Sequence, residues 1–166
     1  LYPEIKKNRL NGAYFFVPNN FLIFVNKNNM EREILIQEEY LDDPFKMFVC
    51  CILLNQTNNK QVRPILESVF ELIPDFQSSI SCEQDVLAQA IKTTGFQNIK
   101  AKRIKELAHK FHQLEGNINL SNIGSLPGIG KYGRDSWEIF FIGNMNVKTE
   151  DKKLSKYLEY FNGQLS

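Results

Sequence analysis

In the segment LPGIGKYGRD, residues 126–135, LPGIG sets two glycines and a proline within five residues, with a lysine and an arginine close behind, at the start of an apolar helical pattern. Gly128 and Gly130 can take backbone angles that a Cβ resists, and they leave the chain bare where another group must come close. If a helix begins at Lys131, its first N–H groups have no partner within it. Together with the helix dipole they favour an anion. Lys131 and Arg134 add positive charge beside Gly128, Ile129 and Gly130. The chemistry that fits this spacing is the non-covalent grip of a phosphate. A Walker loop is excluded, because the G-x-x-x-x-G-K-[ST] spacing is missing. An ordinary glycine-rich connection between helices is the other reading of these residues.

A carboxylate follows. Asp151 stands nineteen positions beyond Tyr132 and three before Leu154, at the start of the last helical pattern. That spacing aims its side chain toward the core or a cleft beside it. Such an aspartate either caps the helix or stabilises positive charge developing in a reaction. The residues alone leave both open. His109 and His112 are three apart with no further ligand nearby, which favours a helix face over a metal pair. Cys50, Cys51 and Cys82 are odd in number, two are adjacent and no CxxC occurs. This argues against a disulfide framework, fits a reducing compartment and rules out a four-cysteine zinc or iron–sulfur site.

The elements that must position these groups are nearly all helical. AYFFVPNNFLIFVN, residues 13–26, reads as two short strands around Pro-Asn-Asn. Phe45, Phe48, Val49, Ile52 and Leu53 then recur at helical spacing, with Asp43 as N-cap and Pro44 in the first turn. That helix is expected to end in the polar stretch 55–58. A second runs from about Lys60 to Leu72, where Pro74 forces a break. Residues 83–92 make a short helix. The next covers about 98–115, with Ile104, Leu107, Ala108, Phe111 and Leu114 on one face, and Gly116 closes it. Residues 120–125 form a short turn ahead of the glycines. Trp137, Phe140 and Phe141 stripe the helix that begins at Lys131 and ends at Gly143. Leu154, Tyr157, Leu158 and Phe161 face inward from the last helix. A short helix, LPGIG and a second helix make a helix–hairpin–helix arrangement, which holds a nucleic-acid backbone without reading its sequence.

The chain of 166 residues fits one domain plus a short extension, and its start at Leu1 is expected of a piece of a longer protein. No apolar run approaches the roughly 18 residues of a membrane helix, so no membrane partner is expected. Net charge is only +1, but Lys100, Lys102, Arg103 and Lys105 cluster, as do Lys148, Lys152, Lys153 and Lys156. Such local basic faces matter more for phosphate than the total; solvated helix faces are the bland alternative.

Taken in order, ILIQEEYLDDPFKMFVCCILLNQTNNK, TTGFQNIKAKRI, LPGIGKYGRDSWEIF and EDKKLSKY resemble the helix–hairpin–helix DNA glycosylases. The likeness is nearest to those specific for thymine or uracil mismatched with guanine, and it spans about residues 34–160. It implies an all-α glycosylase fold over 31–166, a bundle of short helices around a DNA-binding cleft, with 1–30 as a strand-like N-terminal extension. It implies a nuclear, monomeric base-excision enzyme acting on double-stranded DNA with a mispaired base. No cofactor and no iron–sulfur cluster are implied, and a monovalent cation at the hairpin carbonyls is the one ion the family leaves room for.

The resemblance also implies roles. Asp151 becomes the catalytic carboxylate. Tyr132 occupies the position where bifunctional relatives carry a lysine that attacks the sugar; a tyrosine implies hydrolysis and an abasic product, with Tyr132 shaping the pocket. Gln37 matches the residue that reads the flipped pyrimidine, its amide pairing with a carbonyl and an N–H; an exposed helical glutamine is the alternative. Gln56 matches the finger that fills the vacated space, although close relatives carry arginine there; a polar helix end is its alternative. Phe96 matches the apolar wedge; a core aromatic is its alternative. Gly128, Ile129, Gly130, Lys131 and Arg134 would hold the DNA backbone. Rival readings are a glycosylase/lyase of the same fold, against which Tyr132 argues, and a non-catalytic DNA-binding module, against which Asp151 argues. A helical adaptor would leave the hairpin glycines without a reason.

Overall fold

Asp43 and Pro44 begin the first long helix as their types require. The Asp43 carboxylate accepts the Lys46 N–H at 3.0 Å, and Pro44 takes a position where its missing N–H has no intrahelical partner to lose. The computed structural model describes residues 13–16, 23–26 and 33–164. Two strands, β1 (Ala13–Phe16) and β2 (Ile23–Asn26), pair antiparallel with Ala13 opposite Asn26. These are the two strands expected of the 13–26 segment. Apart from these strands, residues 1–30, Pro18, Asn19 and Asn20 included, lie outside the described residues.

The helices are α1 (Pro44–Leu54), α2 (Asn59–Val62), α3 (Leu66–Leu72), α4 (Phe76–Ser81), α5 (Gln84–Ala90), α6 (Gln97–Gln113), α7 (Lys131–Trp137) and α8 (Lys152–Gln164). The single helix expected over 60–72 is instead α2, a 3-10 turn at Arg63–Ile65 and α3. Pro64 explains the break, since it removes an N–H and crowds the preceding turn. Helix α4 has no counterpart among the expected elements. Its signal lies in Asp75, whose side chain accepts the Ser78 N–H at 2.7 Å, but six residues carry too little periodicity to show.

The chain divides into two compact units, Asp43–Arg134 and Leu1–Asp42 with Asp135–Ser166. In the first, α6 packs against α1, α4 and α5. Phe111 lies at its centre, with ring centroids 5.3 Å from Phe45, 6.0 Å from Phe48 and 6.0 Å from Phe76. Each buried ring contributes about 1.5–3 kcal/mol from area alone, so these aromatics fix how α1 and α6 cross. In the second unit, α7 continues into a π-helical segment, Glu138–Ile142, closed by Gly143 at φ 74°. Tyr157 of α8 packs on Phe140 at 4.9 Å and on Phe161 at 4.6 Å. Lys153 pairs with both carboxylate oxygens of Glu33, at 3.0 and 2.9 Å. Within their own units, then, packed helices hold the connections that carry Gln56, Phe96 and Asp151.

Candidate active site

Asp151 is held by the helix it precedes. Its Oδ1 accepts the backbone N–H groups of Lys153 and Leu154, both at 2.9 Å, and its own N–H donates to Thr149 Oγ1 at 3.2 Å. Leu154 is fully buried, which anchors the first turn of α8 and with it the cap. The second carboxylate oxygen, Oδ2, has no hydrogen-bond partner among the described residues. One oxygen therefore does the capping, and the other is left open to a further contact. Half-buried Asp151 keeps access to solvent.

The hairpin follows a short 3-10 turn, Ile123–Ser125, and leads into α7. Leu126 and Ile129 are buried and fasten it from beneath, with the Ile129 N–H donating to the Leu126 carbonyl at 3.3 Å. Gly128 adopts φ 73°, and a Cβ there would meet Cβ, Cγ and Cδ of Arg103 at 3.1 to 3.3 Å. Gly130 behaves differently from the expectation. Its backbone is not left-handed, and a Cβ built on it meets nothing within 4 Å. The open space above Gly130 is thus available to an outside group. Gly133 was not singled out in the sequence, yet a Cβ there would lie 2.8 Å from Ile129 Cγ2. It lets the hairpin press against the first turn of α7. Lys131 and Arg134 are exposed on that turn, and Tyr132 is half-buried.

The basic cluster at 100–105 dissolves into separate tasks. Lys100 is buried, and Lys102 lies 3.8 Å from Glu106. Lys105 donates to the carbonyls of Ser79, Ile80 and Cys82 at the end of α4. Only Arg103 runs along the hairpin, which makes it a cation of that surface that spacing did not single out.

The remaining candidates fall on two kinds of backbone. Gln37 sits in the 3-10 turn Ile36–Glu39 and is 1% exposed, so it is not a surface glutamine. Its Nε2 donates to Ser136 Oγ at 3.3 Å, a buried hydroxyl that the sequence did not flag. Gln56 and Phe96 are exposed at loop tips, and Phe96 at 58% exposure is no core aromatic. Among the described residues, positive φ outside glycine occurs at Gln56 (54°), Phe96 (51°) and Glu115 (50°). Left-handed backbone disfavours a Cβ and collects where a side chain must be aimed. His109 and His112 are exposed on α6, and no group of three or more metal-ligating side chains occurs among the described residues.

Comparison with known proteins identifies relatives of this chain. Residues 49–161 match the family model for the "HhH-GPD superfamily base excision DNA repair protein". A methyl-CpG-binding domain protein 4-like protein of Arabidopsis thaliana is 32% identical over 127 residues, covering 76% of this chain and 28% of its own length. A thymine/uracil-DNA glycosylase of Methanothermobacter thermautotrophicus is 31% identical over 93 residues, covering 54% of this chain and 42% of its own. A solved thermostable thymine-DNA glycosylase superposes with a TM-score of 0.61 at 26% identity, covering 70% of this chain and 54% of that one. The chain thus spans less than half the length of these curated relatives.

Proposed function

The chain belongs to the HhH-GPD superfamily of base excision DNA repair proteins, and from that premise we propose that it excises thymine or uracil mispaired with guanine. The reaction hydrolyses the N-glycosidic bond and leaves an abasic site. The observation that carries this reading is the divided carboxylate of Asp151, one oxygen fixed by two backbone N–H groups and the other without a partner among the described residues.

The target base cannot be reached inside the duplex and must be flipped out, at a few kcal/mol of unstacking that a mispair reduces. Gln56 fills the vacated position and pairs with the orphaned guanine, and Phe96 wedges beside it. The grip on the backbone comes from the N–H groups around Gly128, Ile129 and Gly130, with Lys131, Arg134 and Arg103 supplying the charge. Gln37 reads the flipped pyrimidine through its amide, which matches the carbonyl and N–H edge of thymine or uracil and mismatches cytosine.

Bond breaking builds positive charge on the sugar. The free oxygen of Asp151 stabilises that charge and orients the attacking water. Tyr132 has no amine to form a Schiff base, so the strand stays intact until the abasic site is treated with alkali. The reading assigns residues 31–166 to the glycosylase domain and 1–30 to an extension, needs no cofactor, and takes the protein to act in the nucleus as a monomer on mismatched duplex DNA.

The test is single-turnover cleavage of end-labelled G·T, G·U and G·C duplexes, with and without hot alkali. Asparagine keeps a good N-cap and removes only the charge, so Asp151→Asn should fold as wild type and lose about 10²–10³ in rate. Alkali-independent breaks would make the enzyme a lyase. An Asp151→Asn variant as fast as wild type would take the carboxylate out of the reaction.

A further inference from the structure

Two side chains join the loop that carries Gln56 to the loop that carries Phe96. The first is Lys100, 2% exposed, whose Nζ donates to the carbonyls of Leu53 and Thr94, each at 2.8 Å. Leu53 lies three residues before Gln56, and Thr94 two before Phe96. No carboxylate pairs with this ammonium among the described residues, so its charge is met by carbonyl dipoles, those at the C-terminal end of α1 included. Burial pushes the amine down to about 8. The second is Gln61, exposed at the start of α2. Its Oε1 accepts from Thr57 Oγ1 and Asn58 Nδ2, both at 2.9 Å, and its Nε2 donates to the Thr93 carbonyl at 3.3 Å.

One tie is buried and the other faces solvent, and both cross between residues 53–58 and 93–94. A buried charge without a countercharge is a poor way to gain stability. It does set the distance between two carbonyls that belong to different loops. The two loop tips it ties are left-handed, exposed and unsupported by core packing, so their aim depends on what holds the loop bases.

We propose that Lys100, with Gln61 above it, is a positioning pair that holds Gln56 and Phe96 at a fixed spacing, so that the two enter the duplex as one preassembled double wedge. The inference rests on the reading of Gln56 and Phe96 as the inserted residues. Neither Lys100 nor Gln61 touches DNA in this account; both act through the loops.

The test follows opening of the helix by stopped-flow fluorescence of 2-aminopurine placed beside a G·T pair, using the whole chain. Gln56→Ala, Phe96→Ala and the double variant are compared in the wild-type background and in Lys100→Met, with thermal melting as a check on folding. In the wild-type background the double variant should be hardly slower than the worse single, because loss of either tip disables the unit. In Lys100→Met the two losses should multiply, and Lys100→Met alone should open the helix about tenfold more slowly while its affinity for matched duplex is unchanged. Multiplicative losses in both backgrounds, or wild-type opening by Lys100→Met, would overturn the proposal. If Lys100→Met does not fold, Gln61→Ala carries the same cycle, and unchanged coupling there overturns it. Should Gln56→Ala and Phe96→Ala both open the duplex at the wild-type rate, the insertion reading itself fails, which is a separate result.

Discussion

Replacing Gly128 and Gly130 by alanine, one at a time, should separate folding from DNA binding. At Gly128 the left-handed backbone disfavours alanine by about 1–2 kcal/mol, and the new methyl must displace the Arg103 stem from 3.1 Å. Loss of glycine's freedom in the unfolded chain offsets about 0.4–1 kcal/mol of this. The net loss is about 1 kcal/mol, a fall in Tm of about 2–4 °C. At Gly130 the backbone is ordinary and a Cβ meets nothing within 4 Å. Gly130 is the N-cap of α7, its carbonyl accepting the Arg134 N–H at 3.1 Å, so the unfolded-state gain is offset by the weaker capping of alanine, and Tm should stay within about 2 °C of wild type. The same methyl fills the space a phosphate oxygen would use, and losing one charge-assisted hydrogen bond weakens duplex binding by about tenfold. Gly124, with equally open surroundings in the 3-10 turn, is the control and should alter binding little. Melting curves and fluorescence anisotropy on a G·T duplex at fixed salt give both readouts. A Gly130→Ala protein that melts and binds as wild type would show that the hairpin does not hold the backbone.

Other outcomes follow from the same geometry. Gly133→Ala places its methyl 2.8 Å from Ile129 Cγ2 and should cost about 1–3 kcal/mol of stability, read by chemical denaturation. Lys131→Ala and Arg134→Ala should each lower the slope of log K against log salt by about 1, without a preference for any sequence. Lys100 has a folded pKa of about 8 against 10.5 for an unperturbed lysine, so between these values the unfolded chain binds the extra proton and stability rises with pH. The difference in stability between wild type and Lys100→Met should therefore move in favour of wild type by roughly 2 kcal/mol from about pH 7.5 to about pH 9.5. A flat difference would mean that the amine is not held in a water-poor site. Near neutral pH the methionine variant sheds about 3 kcal/mol of charge burial and orphans two carbonyls at about 1–3 kcal/mol each, terms close enough that it should still fold.

Much of the architecture was legible where one physical signal dominated. The apolar spacing of Phe45–Leu53 and Ile104–Phe111, the Asp43 cap and the Gly116 and Gly143 stops each determine an element locally. Short helices were harder: α4 has one N-cap and six residues, and Pro64 divides a pattern whose apolar face runs on through it. Among site residues, those defined by backbone demand, such as Gly128, could be read from type and spacing. The partners could not. Ser136, Arg103, Lys100 and Gln61 matter through contacts with residues distant in sequence, and no periodicity encodes such a meeting. The Lys100–Lys105 run is the plainest case, because one charged stretch on a helix divides among a buried tie, an ion pair, a hairpin cation and a helix end.

The left-handed loop tips have a consequence for anyone improving this protein by selection. Glycine or asparagine at position 56 or 96 would suit φ 54° and 51° better than glutamine or phenylalanine. A screen that rewards survival on heating would drift toward them, by up to about 1 kcal/mol per site. Neither replacement has the reach of the amide or the flat ring. Under the proposed insertion of Gln56 and Phe96, variants chosen for heat resistance alone would be blunt tools, well folded and unable to open a helix, and any such campaign would need a second filter that scores base release.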